Sequence, residues 1–217
     1  MSRAFRRIAL CCLVVLLALA PGTARAGQKE RLLFRAQPAG AYPAKDAHEG
    51  LIVAADPFDT PAKSSAVFGK LDLRRIGILP ILLVITNDTN KTVRMDKFSV
   101  LLITRDRQKL EPTPGDSVAR RLRGKDGLPG DRTPSPLPKI PRRSSRNDTS
   151  IEVQVHEFNM RMVLPNSSAS GFLYFDVGRS RDWVAGSKVY LTDLVWANNS
   201  QPLMYFEVQL DDALIRK

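Results

Sequence analysis

Cysteine is nearly absent from this chain. Among 217 residues there are two, Cys11 and Cys12, and both lie in an N-terminal stretch with the marks of an export signal. Arg3, Arg6 and Arg7 give a positive start, Ile8–Ala20 is an apolar run, and Ala24-Arg25-Ala26 is a small-residue cleavage site. Residues 1–26 are expected to leave as a signal peptide, so that the mature chain starts at Gly27 and is periplasmic or secreted. It then holds no thiol, which excludes disulfides, Cys-ligated metals and thiol nucleophiles. Arg6-Arg7 leaves a twin-arginine route open, although no cofactor motif follows that would require export in a folded state. Lipidation fits poorly, because most of the apolar run follows the cysteines and Leu10 is bulky. A membrane-crossing helix needs about 20 apolar residues, and no stretch of the mature chain is that long.

Histidine is scarce too, with only His48 and His156. No HExxH, phosphate-binding loop or dinucleotide fingerprint occurs, and no cofactor is expected. A domain without disulfides must stand on packing alone. About 150 residues already bury roughly 70% of the unfolded surface, so one domain with flexible segments is the expected organisation.

Charge is abundant but unevenly placed. The formal +11 of the whole chain falls to +7 once residues 1–26 are removed, and Pro112–Arg146 alone holds nine basic and three acidic residues. That segment also belongs to a stretch, 112–150, with seven of the fifteen prolines and four glycines, including PSPLPKIP at Pro134–Pro141. Such composition predicts a disordered, partly polyproline-II insertion. A short helix from Asp116 to Arg123 is expected inside it, with Val118 and Leu122 stacked at i, i+4.

Around the insertion the chain reads as strands. Gly27–Glu49 is expected to be a flexible linker, 50–212 a sandwich domain and 213–217 a tail. Leu51–Ala55 is a strand candidate. Thr60-Pro61 opens and Gly69 closes a helix over Pro61–Phe68. Gly77–Thr104 is the dominant element, read as a β-hairpin around the polar turn Asn87–Lys91. Its first arm is apolar on both alternating sets: Ile78, Leu82 and Val84 on one, Leu79, Ile81, Leu83 and Ile85 on the other. Such a strand must be covered on both faces, and Pro80 belongs at a bulge or edge. Further strands are expected where Ile151, Val153 and Val155 alternate, at Phe158–Leu164, Phe172–Val177, Lys188–Trp196 and Leu203–Leu210. About seven short strands with turn chemistry between them point to an all-β, immunoglobulin-like antiparallel sandwich.

Two motifs carry a resemblance. One is the long apolar strand, the Asn-Asp-Thr-Asn turn, Val93 and Phe98-x-Val100-x-Leu102. The other is Ser168-Ala-Ser-Gly-Phe-Leu-Tyr-Phe-Asp-Val177. Together, over roughly residues 77–177 less the insertion, they resemble bacterial extracytoplasmic immunoglobulin-like accessory domains. The resemblance implies that fold and an envelope location, and it carries over no catalytic residue.

Three sets of residues are candidates for function. The basic clusters Arg120, Arg121, Arg123, Lys125 and Arg142, Arg143, Arg146 attract anionic envelope polymers or lipid head groups, or bind a protein partner; a solvated loop is the plain alternative. Nucleic acid is not expected, since the chain is exported and aromatics do not interleave with the basic residues. His156, or the Asp56/Asp59 pair, would serve a hydrolase acting on envelope material, and Asp56, Asp59 and Asp72 are also calcium candidates. Five Asn-x-Ser/Thr sequons, at Asn87, Asn90, Asn147, Asn166 and Asn198, are glycan acceptors or ordinary turn residues. The expected function is that of a non-enzymatic envelope binding or scaffolding module, with the hydrolase as the alternative.

Overall fold

The computed structural model describes residues 34–125, 146–178 and 183–214, with side chains described for 34–122, 151–178 and 183–214. The expected signal peptide lies outside them, as do the tail residues 215–217. All described residues fall in one compact unit, and they form an all-β antiparallel sandwich with a few short helices. Strands β1 (Lys45–His48), β2 (Leu51–Pro57), β3 (Ile78–Asn87) and β8 (Ser167–Asp176) make one sheet in the order β1-β2-β3-β8. The facing sheet has the order β11-β9-β5-β6, from Phe206–Gln209, Lys188–Thr192, Ser99–Ile103 and Lys109–Leu110. A small third sheet, β10 (Val195–Trp196), β4 (Val93–Arg94) and β7 (Met162–Val163), adjoins them.

β3 is buried along its whole length, and the two sets read from its sequence go to different cores. Leu79, Ile81, Leu83 and Ile85 pack between the sheets with Val53, Leu173, Phe175, Val100, Leu102, Val189, Leu191 and Phe206. Ile78, Leu82 and Val84 face the other way. There, three helices cover the outer face of the sheet: α1 (Pro61–Phe68), α2 (Gly115–Lys125) and α3 (Arg146–His156). Phe68 from α1, Val118 from α2 and Val153 from α3 are fully buried in this second core with Phe172 and Tyr174. Phe172 lies at its centre, with ring centroids of Phe58 at 4.8 Å, Phe68 at 5.0 Å and Phe34 at 5.7 Å.

Local chemistry explains several boundaries. α1 has the expected bounds, with the Thr60 hydroxyl accepting from the Lys63 N–H at 3.3 Å, Pro61 in the first turn and Gly69 beyond the end. Pro80 is accommodated because its carbonyl accepts from the Phe58 N–H at 2.9 Å. Its missing donor therefore faces the side where β2 has already ended at Pro57.

Other expectations are corrected. Gly77–Thr104 is not a hairpin: β3 pairs with β2 and β8, whereas β5 pairs with β9 and β6 in the facing sheet. The polar turn is a crossover, organised by the fully buried Asn87. Its amide donates to the carbonyls of Lys91 (2.6 Å) and Leu164 (3.1 Å), and its oxygen accepts from the Thr89 hydroxyl (2.7 Å). Asn87 is thus closed to glycosylation in the folded chain.

The segment around Ile151, Val153 and Val155 is helix α3, not a strand. Only Val153 of the three turns inward, leaving Ile151 and Val155 exposed. From Phe34 the expected linker is ordered, and Ala39 and Ala44 are fully buried. β1 closes a hairpin on β2 through Glu49 (φ 53°) and Gly50 (φ 77°), the positive-φ pair of a tight hairpin turn. The strand expected at Phe172–Val177 begins earlier, since β8 spans Ser167–Asp176. Of the stretch expected to be disordered, 112–125 and 146–150 belong to the fold, and 126–145 lies outside the described residues. Among the described residues eleven strands are assigned where about seven were expected, because several are two-residue pairings too short to leave a sequence pattern.

Two-sided burial makes a direct prediction. Leu82→Ala and Leu83→Ala point to opposite cores, and each is expected to cost about 2–5 kcal/mol in denaturant unfolding. A loss below about 1 kcal/mol for Leu82→Ala would mean that the outer face is open to solvent.

Candidate interaction surface at the helical cap

The described ends of the insertion form a packed helix pair on the outer sheet, tied down by three polar contacts. At the start of α2, the Gly115 N–H donates to Glu157 Oε1 at 2.8 Å, so a carboxylate from beyond α3 meets the positive end of α2. Along α2, Arg121 donates to Asp176 Oδ2 on β8 at 2.7 Å. That bond holds the Asp176 carboxyl below its usual range. Beneath α3, the Tyr174 hydroxyl donates to the Val153 carbonyl at 2.8 Å, and burial pushes the phenol well above its ordinary value. Both partners of the Arg121–Asp176 pair are nearly half exposed, so it contributes at most about 1 kcal/mol. The apolar contacts of Val118 and Val153 contribute more.

Of the basic residues singled out, Arg120 and Arg121 are placed with their side chains. Arg120 reaches back along α2 to Asp116 (2.6 Å) and Ser117 (2.9 Å) yet stays largely exposed. Arg123 and Lys125 continue α2 and Arg146 opens α3; their side chains are not described. Arg142 and Arg143 lie outside the described residues. α2 thus carries Arg120, Arg121, Arg123 and Lys125, and α3 begins at Arg146, with twenty residues of sequence, 126–145, between the two helices.

His156 ends α3 rather than sitting in a strand. Its ring meets Phe68 edge-on at 5.9 Å and Phe172 at 6.3 Å. Burial lowers its pKa, with Glu152 one turn earlier opposing the shift. Asp56 is held by Lys63 Nζ at 2.7 Å. Asp59 and Asp72 line a separate cleft of about 490 Å³ with Arg74, Arg75 and Trp183, in which an Arg74 N–H donates to the Asp59 carbonyl. Among the described residues, no three of His, Cys, Asp or Glu are grouped to hold a metal ion.

Sequence reasoning missed two surface features. One is an exposed apolar series running from α3 past β7: Ile151, Val155, Met160, Met162 and Leu164. The i, i+2, i+4 spacing of its last three members was the available signal. The other is a cleft of about 440 Å³ at the root of the insertion, lined by Phe98–Val100, Glu111–Pro114, Glu157–Phe158 and Phe172–Tyr174. The backbone of Phe158 lies against β8 there only because residue 171 is glycine; an added Cβ would stand 2.5 Å from Phe158 Cα.

The chain matches no protein-family model, no curated protein and no solved structure.

The half-buried position of His156 sets a pH dependence. A histidine whose folded pKa lies below its unfolded value of about 6.5 resists protonation in the fold, so its protonation favours unfolding as pH falls through that region. Between pH 7.5 and 5, wild type is expected to lose stability relative to His156→Gln in parallel denaturant titrations. Equal pH dependence would show that the ring is not desolvated.

Proposed function

We propose that this protein is a non-enzymatic, exported module of the cell envelope that binds or scaffolds through its basic insertion. The observation that supports it most is that the insertion is rooted in the fold. Gly115–Lys125 and Arg146–His156 bury Val118 and Val153 in the second core, and Arg120 and Arg121 stand exposed on the resulting platform. A helix pair packed onto a sheet restrains both ends of the basic stretch, so that charges distant in sequence act on one side of the molecule. Each Lys or Arg near an anionic surface contributes about 1 kcal/mol, and the attraction fades within a Debye length of about 8 Å at physiological salt. Arg123, Lys125, Arg142, Arg143 and Arg146 supply further charge from sequence. The ligand class is an anionic envelope polymer or lipid head group, with a protein partner as the other form of the same role.

The sandwich supplies what such a platform needs. Its rigidity does not depend on disulfides, because both faces of β3 are packed. The expected N-terminal signal and the envelope location belong to the same reading.

The test uses a shortened chain rather than a full excision, because 112–125 and 146–156 are part of the core. A variant with 126–145 replaced by a short Gly-Ser linker, and carrying Arg120→Glu and Arg123→Glu, is compared with the full chain on vesicles containing anionic lipid. The full chain is expected to bind at low salt, to release by about 0.5 M NaCl, and to lose at least tenfold in the variant. Equal binding by variant and full chain would overturn the role of the insertion.

A further inference from the structure

We propose that the cleft between β5 and β8 takes up an extended, lysine- or arginine-bearing peptide segment of a protein partner, which adds to β5 as a strand at Val100. The proposal does not rest on the anionic-surface reading, and the charge it selects is the opposite one.

The register of β5 against β6 sets which of its backbone groups are paired. β5 pairs with β6 at Leu102↔Leu110 and Ile103↔Lys109, and the Thr104 N–H donates to the Gln108 carbonyl at 2.9 Å. Backbone groups alternate sides along a strand, so Thr104, Leu102 and Val100 point toward β6, while Ile103, Leu101 and Ser99 point toward β9. Continued by two residues, the β5–β6 ladder would set residue 112 opposite Val100. That residue is Pro112, which has no N–H to give, and it bridges instead to Phe175 on β8, in the other sheet. Thr113 follows it across, donating to the Tyr174 carbonyl at 2.6 Å. β6 therefore ends at Leu110, and the N–H and C=O of Val100 face the cleft rather than a strand.

The cleft is built for one kind of guest. Its apolar lining includes Phe98, Val100, Phe158 and Leu173. Across it, β8 is already occupied, since the Phe158 N–H donates to the Phe172 carbonyl at 2.9 Å. One strand edge is therefore open, not two. The charged side chains that line it are Glu111 and Glu157, both carboxylates. An extended guest with alternating residues places apolar side chains on the floor and cationic ones toward the glutamates, with main-chain bonds to Val100 supplying affinity.

The probe is Ac-Lys-Val-Lys-Val-Lys-amide, titrated into the full chain and followed by amide chemical shifts. Saturable shifts are expected at Phe98–Val100 and Phe158. The Glu-Val analogue is expected to bind at least tenfold more weakly, and Glu111→Gln to weaken the cationic peptide by about threefold. Two further peptides, N-methylated on alternate sets of amides, read the ladder directly. One is expected to lose binding and the other to keep it, because a single edge uses one set of donors. The proposal is overturned by shifts that do not saturate by 1 mM peptide or that map elsewhere. Equal binding of the acidic analogue, or equal behaviour of the two N-methylated peptides, overturns it as well. Deleting 126–145 is expected to leave this binding unchanged, which separates its failure from that of the vesicle experiment.

Discussion

A ten-residue strand with no solvent-facing side is the constraint on which the rest of the structure depends. β3 carries Leu79, Ile81, Leu83 and Ile85 on one face and Ile78, Leu82 and Val84 on the other. An exposed sheet face in their place would leave a large apolar patch in water, at about 25 cal/mol per Å² of apolar surface. Two layers must therefore cover β3. The facing sheet is one, and the helices contributed by residues 61–68 and by the two ends of the insertion are the other. The insertion is thus a part of the sandwich's core, and its Arg120 and Arg121 are displayed from a packed support. A chain expected to function without disulfides gains from this arrangement a second core, centred on Phe172, in their place.

The same economy governs the edges. At one side of the sandwich β1 lies against β11 without a continuous ladder, and side chains close the seam. The Glu207 N–H donates to Asp46 Oδ2 at 2.9 Å and the Met204 N–H to Glu49 Oε2 at 3.0 Å. His48 stacks on Phe206 with ring centroids 3.8 Å apart. Carboxylates that accept from an edge strand also hinder its pairing with another chain. On the opposite side the seam is crossed by the roots of the insertion, at Pro112–Pro114 and Glu157–Phe158, and part of β5 is left unpaired there. One edge is sealed and the other is open beside the segment that carries the charge.

How much of this was legible in the sequence depended on whether the signal was local. The two apolar sets of β3 and the capped helix Pro61–Phe68 were readable because each follows from a few adjacent residues. The destination of the chain after Asn87 was not. A polar five-residue turn suits a hairpin and a sheet-to-sheet crossover equally well, and the choice was made by buried hydrogen bonds from Asn87 to residues as distant as Leu164. In α3, Ile151, Val153 and Val155 alternate and are β-branched, which suits a strand; tertiary packing uses only Val153, and the helical period wins. β1 leaves no strand signal, because Lys45–His48 pairs through its backbone and offers little apolar alternation. For the candidate surface, composition located the basic clusters, but that Arg120 and Arg121 stand on a helix packed into the fold was visible only once Val118 and Val153 were seen to share a core.

The central claim is that the helical cap and the sandwich are one cooperative unit. It is tested most directly by unfolding Val153→Ala in denaturant while following Trp183 and Trp196, both associated with the core between the sheets rather than the one beneath α3. The account predicts a single transition in which the tryptophan signal shifts to lower denaturant, by a loss of about 2 kcal/mol. A tryptophan transition identical to wild type, with helical signal lost separately at lower denaturant, would contradict it.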